Sequence, residues 1–239
     1  STSPEFYSET RPWLNASVVM IYLDHNATTP VHPAVRDAMW PFLTTEWGNP
    51  SSVYRFGRNP RAAINHAREQ VAALVHAKPA EVVFTSCATE ANNTAISSAL
   101  RAHQGKRHIV TSLVEHSSVL HKCEELNRQG YSVTFLRVNR DGALDLDELR
   151  NAIRDDTALV SLMWANNETG ALSPISDIAR ICEERRILFH CDAVQAVGKV
   201  QVDLSSHPIH FATLSGHKIG APKGIGALIV RDGVEFFPT

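Results

Sequence analysis

Seven short apolar runs, at 81–85, 108–112, 131–138, 158–163, 187–191, 211–214 and 226–230, constrain this chain more than any other feature. Most are separated by helix-length stretches with apolar residues three and four apart, as in Ala63, Ala67, Val71 and Leu74. Helices are expected over roughly 33–43, 60–75, 86–102, 117–129, 145–154 and 175–186, with Pro33 in a first turn that favours proline. Strands that alternate with helices give the α/β class and a mostly parallel sheet, whose ligands gather at the carboxyl ends of the strands. A chain of 239 residues with 44% hydrophobic content can bury one sizeable core, so one domain, or one with a small annex, is expected.

Two of the strand ends carry chemistry. After the run at 211–214 comes Ser215-Gly216-His217-Lys218, and the run at 187–191 ends in Asp192-Ala193-Val194-Gln195. A lysine beside Ser and His can reach both a carbonyl carbon and a phosphate, which is the pairing a pyridoxal phosphate (PLP) site needs. Asp192 and Lys218 could then meet one pyridine ring from two sides. Ser86-Cys87-Ala88-Thr89-Glu90 forms a strand-to-helix turn of small residues, where free N–H groups and a positive dipole end suit a phosphate. The same turn could equally be an N-cap made by Ser86 or Thr89, with no ligand. His116, at the start of the next helix, reads by itself as a capping or solvated group, and the amides of Asn166-Asn167 read as turn formers. No strand leads into G-x-G-x-x-G, so a nicotinamide site is not expected.

Together, His190-Cys191-Asp192-Ala193-Val194-Gln195 and Ser215-Gly216-His217-Lys218 resemble the class V, fold-type I PLP enzymes, and within them the cysteine desulfurases and selenocysteine lyases. The resemblance runs from Ile21 to about Val230. It implies the large domain of a fold-type I PLP-dependent transferase, with a mostly parallel mixed sheet sandwiched by helices. By the resemblance Lys218 holds PLP as a Schiff base, and Asp192 keeps the pyridine nitrogen protonated. His116 stacks on the ring and moves protons, while Asn167 and Gln195 face the 3-oxygen. Ala88 and Thr89 form the phosphate cup with Ser215 and His217, and Asn26, Ala27 and Thr28 line the substrate mouth together with Asn167. Cys87 stands where the family usually carries glycine.

The resemblance further implies an amino-acid substrate, cysteine or selenocysteine, a homodimer, and a sulfur-acceptor or scaffold protein, as in iron–sulfur cluster assembly. The sulfur-accepting cysteine and the small domain of the family lie beyond Thr239, and none of Cys87, Cys123, Cys182 or Cys191 matches that nucleophile. Residues 1–19 read as a vector-derived or disordered leader, with Met20 as the native start and 20–239 as the PLP-binding domain with its N-terminal arm. Another class V aminotransferase, or a truncated form that acts as a binding or dimerisation module, remains open at this stage.

Charge and composition exclude other classes. A formal net charge of −2 with no block of one sign offers no groove to nucleic acid and no face to an anionic membrane. With no apolar run of about 18 residues and no signal-peptide pattern, a cytoplasmic protein is expected. The four cysteines lack a Cys-x-x-Cys pair and read as reduced thiols, and the twelve histidines are scattered, so no metal is expected.

Overall fold

The computed structural model of the protein describes residues 21–238. The expected leader at 1–19 and the start at Met20 lie outside the described residues. The elements follow in the order α1 (Pro33–Thr44), α2 (Arg55–Leu74), β1 (Val82–Thr85), α3 (Ala88–Ala102), β2 (His108–Ser112), α4 (Ser117–Arg128), β3 (Ser132–Leu136), α5 (Leu146–Ala152), β4 (Thr157–Ser161), α6 (Ile175–Glu184), β5 (Leu188–Asp192), β6 (Phe211–Ser215) and β7 (Gly226–Val230).

These strands form one seven-stranded sheet in the order β1-β7-β6-β5-β4-β2-β3. The β2–β3, β2–β4, β4–β5 and β5–β6 pairs are parallel, and only β7 runs against its neighbours. The expected mostly parallel sheet is therefore present. All six other strands end at one edge, where Thr85, Ser112, Ser161, Asp192 and Ser215 stand with Gly226, the first residue of β7. Helix does not separate every pair of strands, because β5 reaches β6 through turns alone and β6 reaches β7 through a single 3-10 turn, Gly216–Lys218.

Two-residue alternation splits the strands between two cores. Ile109, Leu159, Phe211 and Leu228 face α3 and α4, while Val110, Val160, Ala212 and Ile229 face residues of α2, α5 and α6. Each large side chain so buried contributes about 1.5–3 kcal/mol. Helix α3 presents Ala91, Ala95 and Ala99, all fully buried, and such small residues let its axis lie close to the sheet. His190 and His108 are buried too. His190 joins Ser161 of β4 at 2.8 Å and Thr213 of β6 at 3.1 Å, and burial pushes its pKa down to about 3. This neutral imidazole ties together the strands on either side of Asp192.

Helix α2 begins at Arg55, five residues before the expected start at Pro60. Proline ends a helical pattern in a sequence because it leaves the carbonyl four residues back without a partner. Here that carbonyl belongs to Phe56, and Gly48 lies so close to it that a Cβ would come within 2.1 Å of the oxygen. Only a glycine fits in the loop against that carbonyl, and the helix continues through Pro60.

Candidate active site

Asn26, Ala27, Ala88, Thr89, His116, Asn167, Asp192, Gln195, Ser215, His217 and Lys218 all line a single cavity of about 400 Å³ at the carboxyl edge of the sheet. Thr28 does not line it. Its hydroxyl lies 3.1 Å from Nδ1 of His217, a residue of the wall. The cavity also takes in Cys87, and Asp24, Met163, Ala165, Glu168 and Val194, to which the sequence reading gave no role.

Asp192 closes β5 with its side chain buried among the strand ends. Its Oδ1 accepts from the Val194 N–H at 3.1 Å and its Oδ2 from the Asn92 amide at 2.8 Å. Burial raises its pKa, against the lowering pull of those two donors and of His116 and Lys218. Among the described residues no cation forms an ion pair with it. A buried carboxylate at the wall of a cavity, bound only by neutral donors, suits a cationic ring nitrogen.

Lys218 ends the one-turn 3-10 helix after β6. Its Nζ donates to the backbone oxygens of Asn26 and Ala27, the latter at 2.9 Å, so the amine meets the arm rather than a carboxylate. Burial, then the nearby Lys199, lowers its pKa, which increases the fraction of neutral, nucleophilic amine. Lys199 itself donates to Gln195 and, at 3.3 Å, to Asn26 Oδ1. Gln195 in turn donates to Asn26 O at 3.0 Å, so Gln195 and both lysines converge on the arm.

One end of the cavity is formed by the start of α3. Cys87 is its N-cap residue, so the expected caps Ser86 and Thr89 do not hold that place; Ser86 instead donates through its N–H and hydroxyl to Glu90, at 2.7 and 2.5 Å. Ala88 and Thr89 of this first turn line the cavity together with Cys87 and Ser215. Cys87 is extended, at φ −169° and ψ 171°, a conformation open to any residue, so the missing glycine does not distort the cup. Space there is made by another glycine: a Cβ on Gly226 would lie 2.8 Å from the Cys87 carbonyl carbon and 3.0 Å from both Leu214 O and Thr85 Oγ1.

The two asparagines after β4 divide the work. Asn166 holds the loop, donating to Val114 O at 3.0 Å and accepting at Oδ1 from the N–H groups of Glu168 and Thr169. Asn167 lines the cavity and donates to Glu168 at 2.7 Å. His116 is both the N-cap of α4, accepting the Ser118 N–H at Nδ1, and part of the cavity wall.

Beneath the cavity lies a residue that the sequence did not mark. Glu115 is wholly buried, accepts at Oε1 from Ser112 at 2.7 Å and from the Met163 N–H at 3.0 Å, and has no partner for Oε2 among the described residues. Burial, against those two bonds and with the help of the nearby Asp192, pushes its pKa up to about 8. The thiols of Cys123 and Cys182 are pushed up by burial to about 12, and that of Cys191 further still. Only Cys87 is lowered: burial raises it, but the Glu90 and Thr89 N–H groups and the Ser86 hydroxyl outweigh that. Among the described residues no three His, Cys, Asp or Glu side chains converge as metal ligands.

One group satisfies this arrangement of a buried carboxylate, an amine of lowered pKa and an anion cradle around a cavity of ligand size, and that group is PLP. The comparisons with known proteins agree. The profile of the family described as "Aminotransferase class-V" matches residues 21–238. The cysteine desulfurase of Nostoc sp. (strain PCC 7120 / SAG 25.82 / UTEX 2576) is 55% identical over 92% of this chain and 55% of its own length. The cysteine desulfurase NifS of Azotobacter vinelandii is 48% identical over 91% and 54%. Among solved structures, "SspA in complex with cysteine" superposes with a TM-score of 0.88 at 39% identity, over 92% of this chain and 64% of that one. A "NIFS-like protein" gives 0.88 at 37%, over 90% and 60%. The chain thus spans about half the length of the curated relatives it matches.

Proposed function

From the premise that this chain belongs to the class-V aminotransferase family, whose members depend on PLP, we propose that it is the cofactor-binding part of a cysteine desulfurase. The observation that carries this is the convergence of Lys218, Asp192, His116 and the start of α3 on one cavity. The relatives' names and the cysteine held by a structural neighbour support L-cysteine, rather than selenocysteine, as substrate.

When bound, PLP supplies an electron sink for the pair left at the α-carbon of the amino acid. The residues of the chain do the rest. Lys218 would hold the cofactor through its amine and, when that amine is free, would carry a proton at the α-carbon of the substrate. Asp192 holds a positive charge at the ring nitrogen, which is worth most as negative charge develops in the ring. His116 would lie against the ring and exchange a proton at the substrate, and Asn167 and Gln195 would bind the 3-oxygen. The α3 start, Thr89, Ser215 and His217 bind the phosphate, while Asn26 and Ala27 bound the substrate side. In the reaction the Cβ–S bond breaks, an acceptor thiol forms a new S–S bond, and alanine and a persulfide result. The high pKa values of Cys123, Cys182 and Cys191, and the place of Cys87 at the phosphate end, support an acceptor thiol other than these four.

The same proposal takes in residues 20–239 as the PLP domain with its arm, a homodimer, a cytoplasmic setting, and a sulfur-acceptor protein such as one serving iron–sulfur cluster assembly. The exposed Trp40, Leu43, Trp47 and Val53 support an apolar interface on the arm. To test the activity, the chain is given PLP and L-cysteine in deuterated water. It should exchange the α-hydrogen of cysteine, and it should pass no amino group to an added α-keto acid. Amino transfer at a comparable rate would make it an aminotransferase instead.

A further inference from the structure

His116, Ser118, Asn92 and Asp192 form one hydrogen-bonded line, and its polarity can be read from one end. The Ser118 backbone N–H lies 3.2 Å from His116 Nδ1. A backbone N–H only donates, so Nδ1 is the unprotonated nitrogen of the ring. The Ser118 hydroxyl, 2.8 Å from the same Nδ1, must then donate to it as well, because its lone pairs would otherwise face that of the ring. A hydroxyl has one proton, so Ser118 Oγ accepts from its other neighbour, the Asn92 amide nitrogen at 2.9 Å. That nitrogen has one proton left, and it goes to Asp192 Oδ2 at 2.8 Å. Asn92, Asp192 and Ser118 are all buried, and in that low-dielectric setting each polar hydrogen is best placed on a partner within the line.

We propose that Asn92 and Ser118 are positioning residues that hold His116 as its Nε2–H tautomer and at the same time hold Asp192 as an acceptor, so that the two sides of the cofactor site are set by one network. In this arrangement His116 gives and takes its proton at Nε2, and Nδ1 stays bare in both the capping and the catalytic role. The network spans α3, the α4 start and the β5 end, so the tautomer is fixed by the fold and does not wait for the cofactor. The inference deepens the proposed function and rests on it for the significance of His116 and Asp192, but not for the tautomer itself.

The test is a long-range proton–nitrogen correlation spectrum of the chain labelled with ¹⁵N-histidine and free of PLP, with the His116 signals assigned by their loss in His116→Gln. The expected result is a protonated Nε2 and a bare Nδ1. Ser118→Ala, which removes one neutral hydrogen bond, should lower the ratio of the two tautomers by about 2- to 10-fold. Ser118→Thr, which keeps the hydroxyl, should restore it. A protonated Nδ1 in the wild type, or an unchanged ratio in Ser118→Ala, would overturn the inference; if Ser118→Ala does not fold, the wild-type spectrum alone decides. Failure of PLP to attach to Lys218 would remove the proposed function while leaving the tautomer result standing.

Discussion

Asp192 and Ser215 end strands set in the middle of the sheet, and every residue of β6 is buried, whereas Asp24, Asn26 and Ala27 belong to an arm whose helix α1 buries none of its residues. Both regions line the same cavity. The sheet side is held by ladders, by the neutral His190 and by the Asn92 bonds. The arm is held by a few bonds to the β6–β7 connection: Thr29 N–H to His217 O at 2.9 Å, His32 N–H to Gly220 O at 2.8 Å, and the Lys218 contacts. Gly220 makes that docking possible with a φ of +83°, which a side chain would strain. In the proposed function the groups nearest the ring nitrogen and phosphate thus stand on the sheet, and those proposed to bound the substrate stand on a segment with a much smaller share of the core. Trp40, Leu43 and Trp47, 62%, 68% and 70% exposed, are apolar surface that the described residues do not cover.

The comparison can be broken most severely at Asp192. Asp192→Asn removes the charge yet keeps the shape, so PLP should still bind while α-hydrogen exchange slows by about 100- to 1,000-fold in single-turnover measurements. An unchanged rate would mean that the sheet side does not supply the critical charge.

Next comes Glu115, under the same wall. Its pKa is raised from 4.5 to about 8, so its contribution to stability is complete below pH 4.5 and is lost as pH rises through 8. Glu115→Gln, a mimic of the protonated acid, should abolish this decline and gain on the wild type by a few kcal/mol, roughly 2–5, between pH 4.5 and 9. Denaturant melts across that range check it, and parallel profiles for the two proteins would contradict it.

Gly226→Ala should cost about 1–3 kcal/mol in the same melts, because the atoms its Cβ would meet are mostly backbone and cannot turn away. On the arm the effects should be smaller and of another kind. Thr29→Val removes a hydroxyl that donates to His217 O at 2.9 Å and accepts the Gly220 N–H at 2.8 Å. It should cost about 1 kcal/mol of stability but weaken PLP affinity measurably, through the loosened Lys218 and His217 loop. Trp40→Gln should alter the stability of the chain by less than about 0.5 kcal/mol. A large loss there would show that α1 is part of the core after all.

What could be read from the sequence follows the same division. The ends of β5 and β6 were legible because apolar runs break off at Asp192 and before Lys218, and the motifs resemble those of a known family. Asn92 was not, since it sits mid-helix among small residues and meets Asp192 only through the crossing of α3 over the sheet. Glu115 was hidden for a related reason: a carboxylate next to a helix start reads as solvated, and only the Met163 N–H and Ser112 brought against it reveal its burial. The contact of Thr28 with His217 was not legible either, because it depends on the turn at Asp24–Ala27 that brings the arm against the β6–β7 connection. The burial of α1 cannot be read from its own apolar residues, because the pattern is the same whether or not the partner surface is in the chain.

The central claim is that Lys218 and Asp192 bracket one PLP molecule, and reduction of the PLP-loaded chain with borohydride followed by peptide mapping tests it most directly. The account predicts the pyridoxyl mass on Lys218 in the wild type and in Asp192→Asn. Label on Lys199, which lies close enough to lower the pKa of Lys218, or on Lys223, would contradict it.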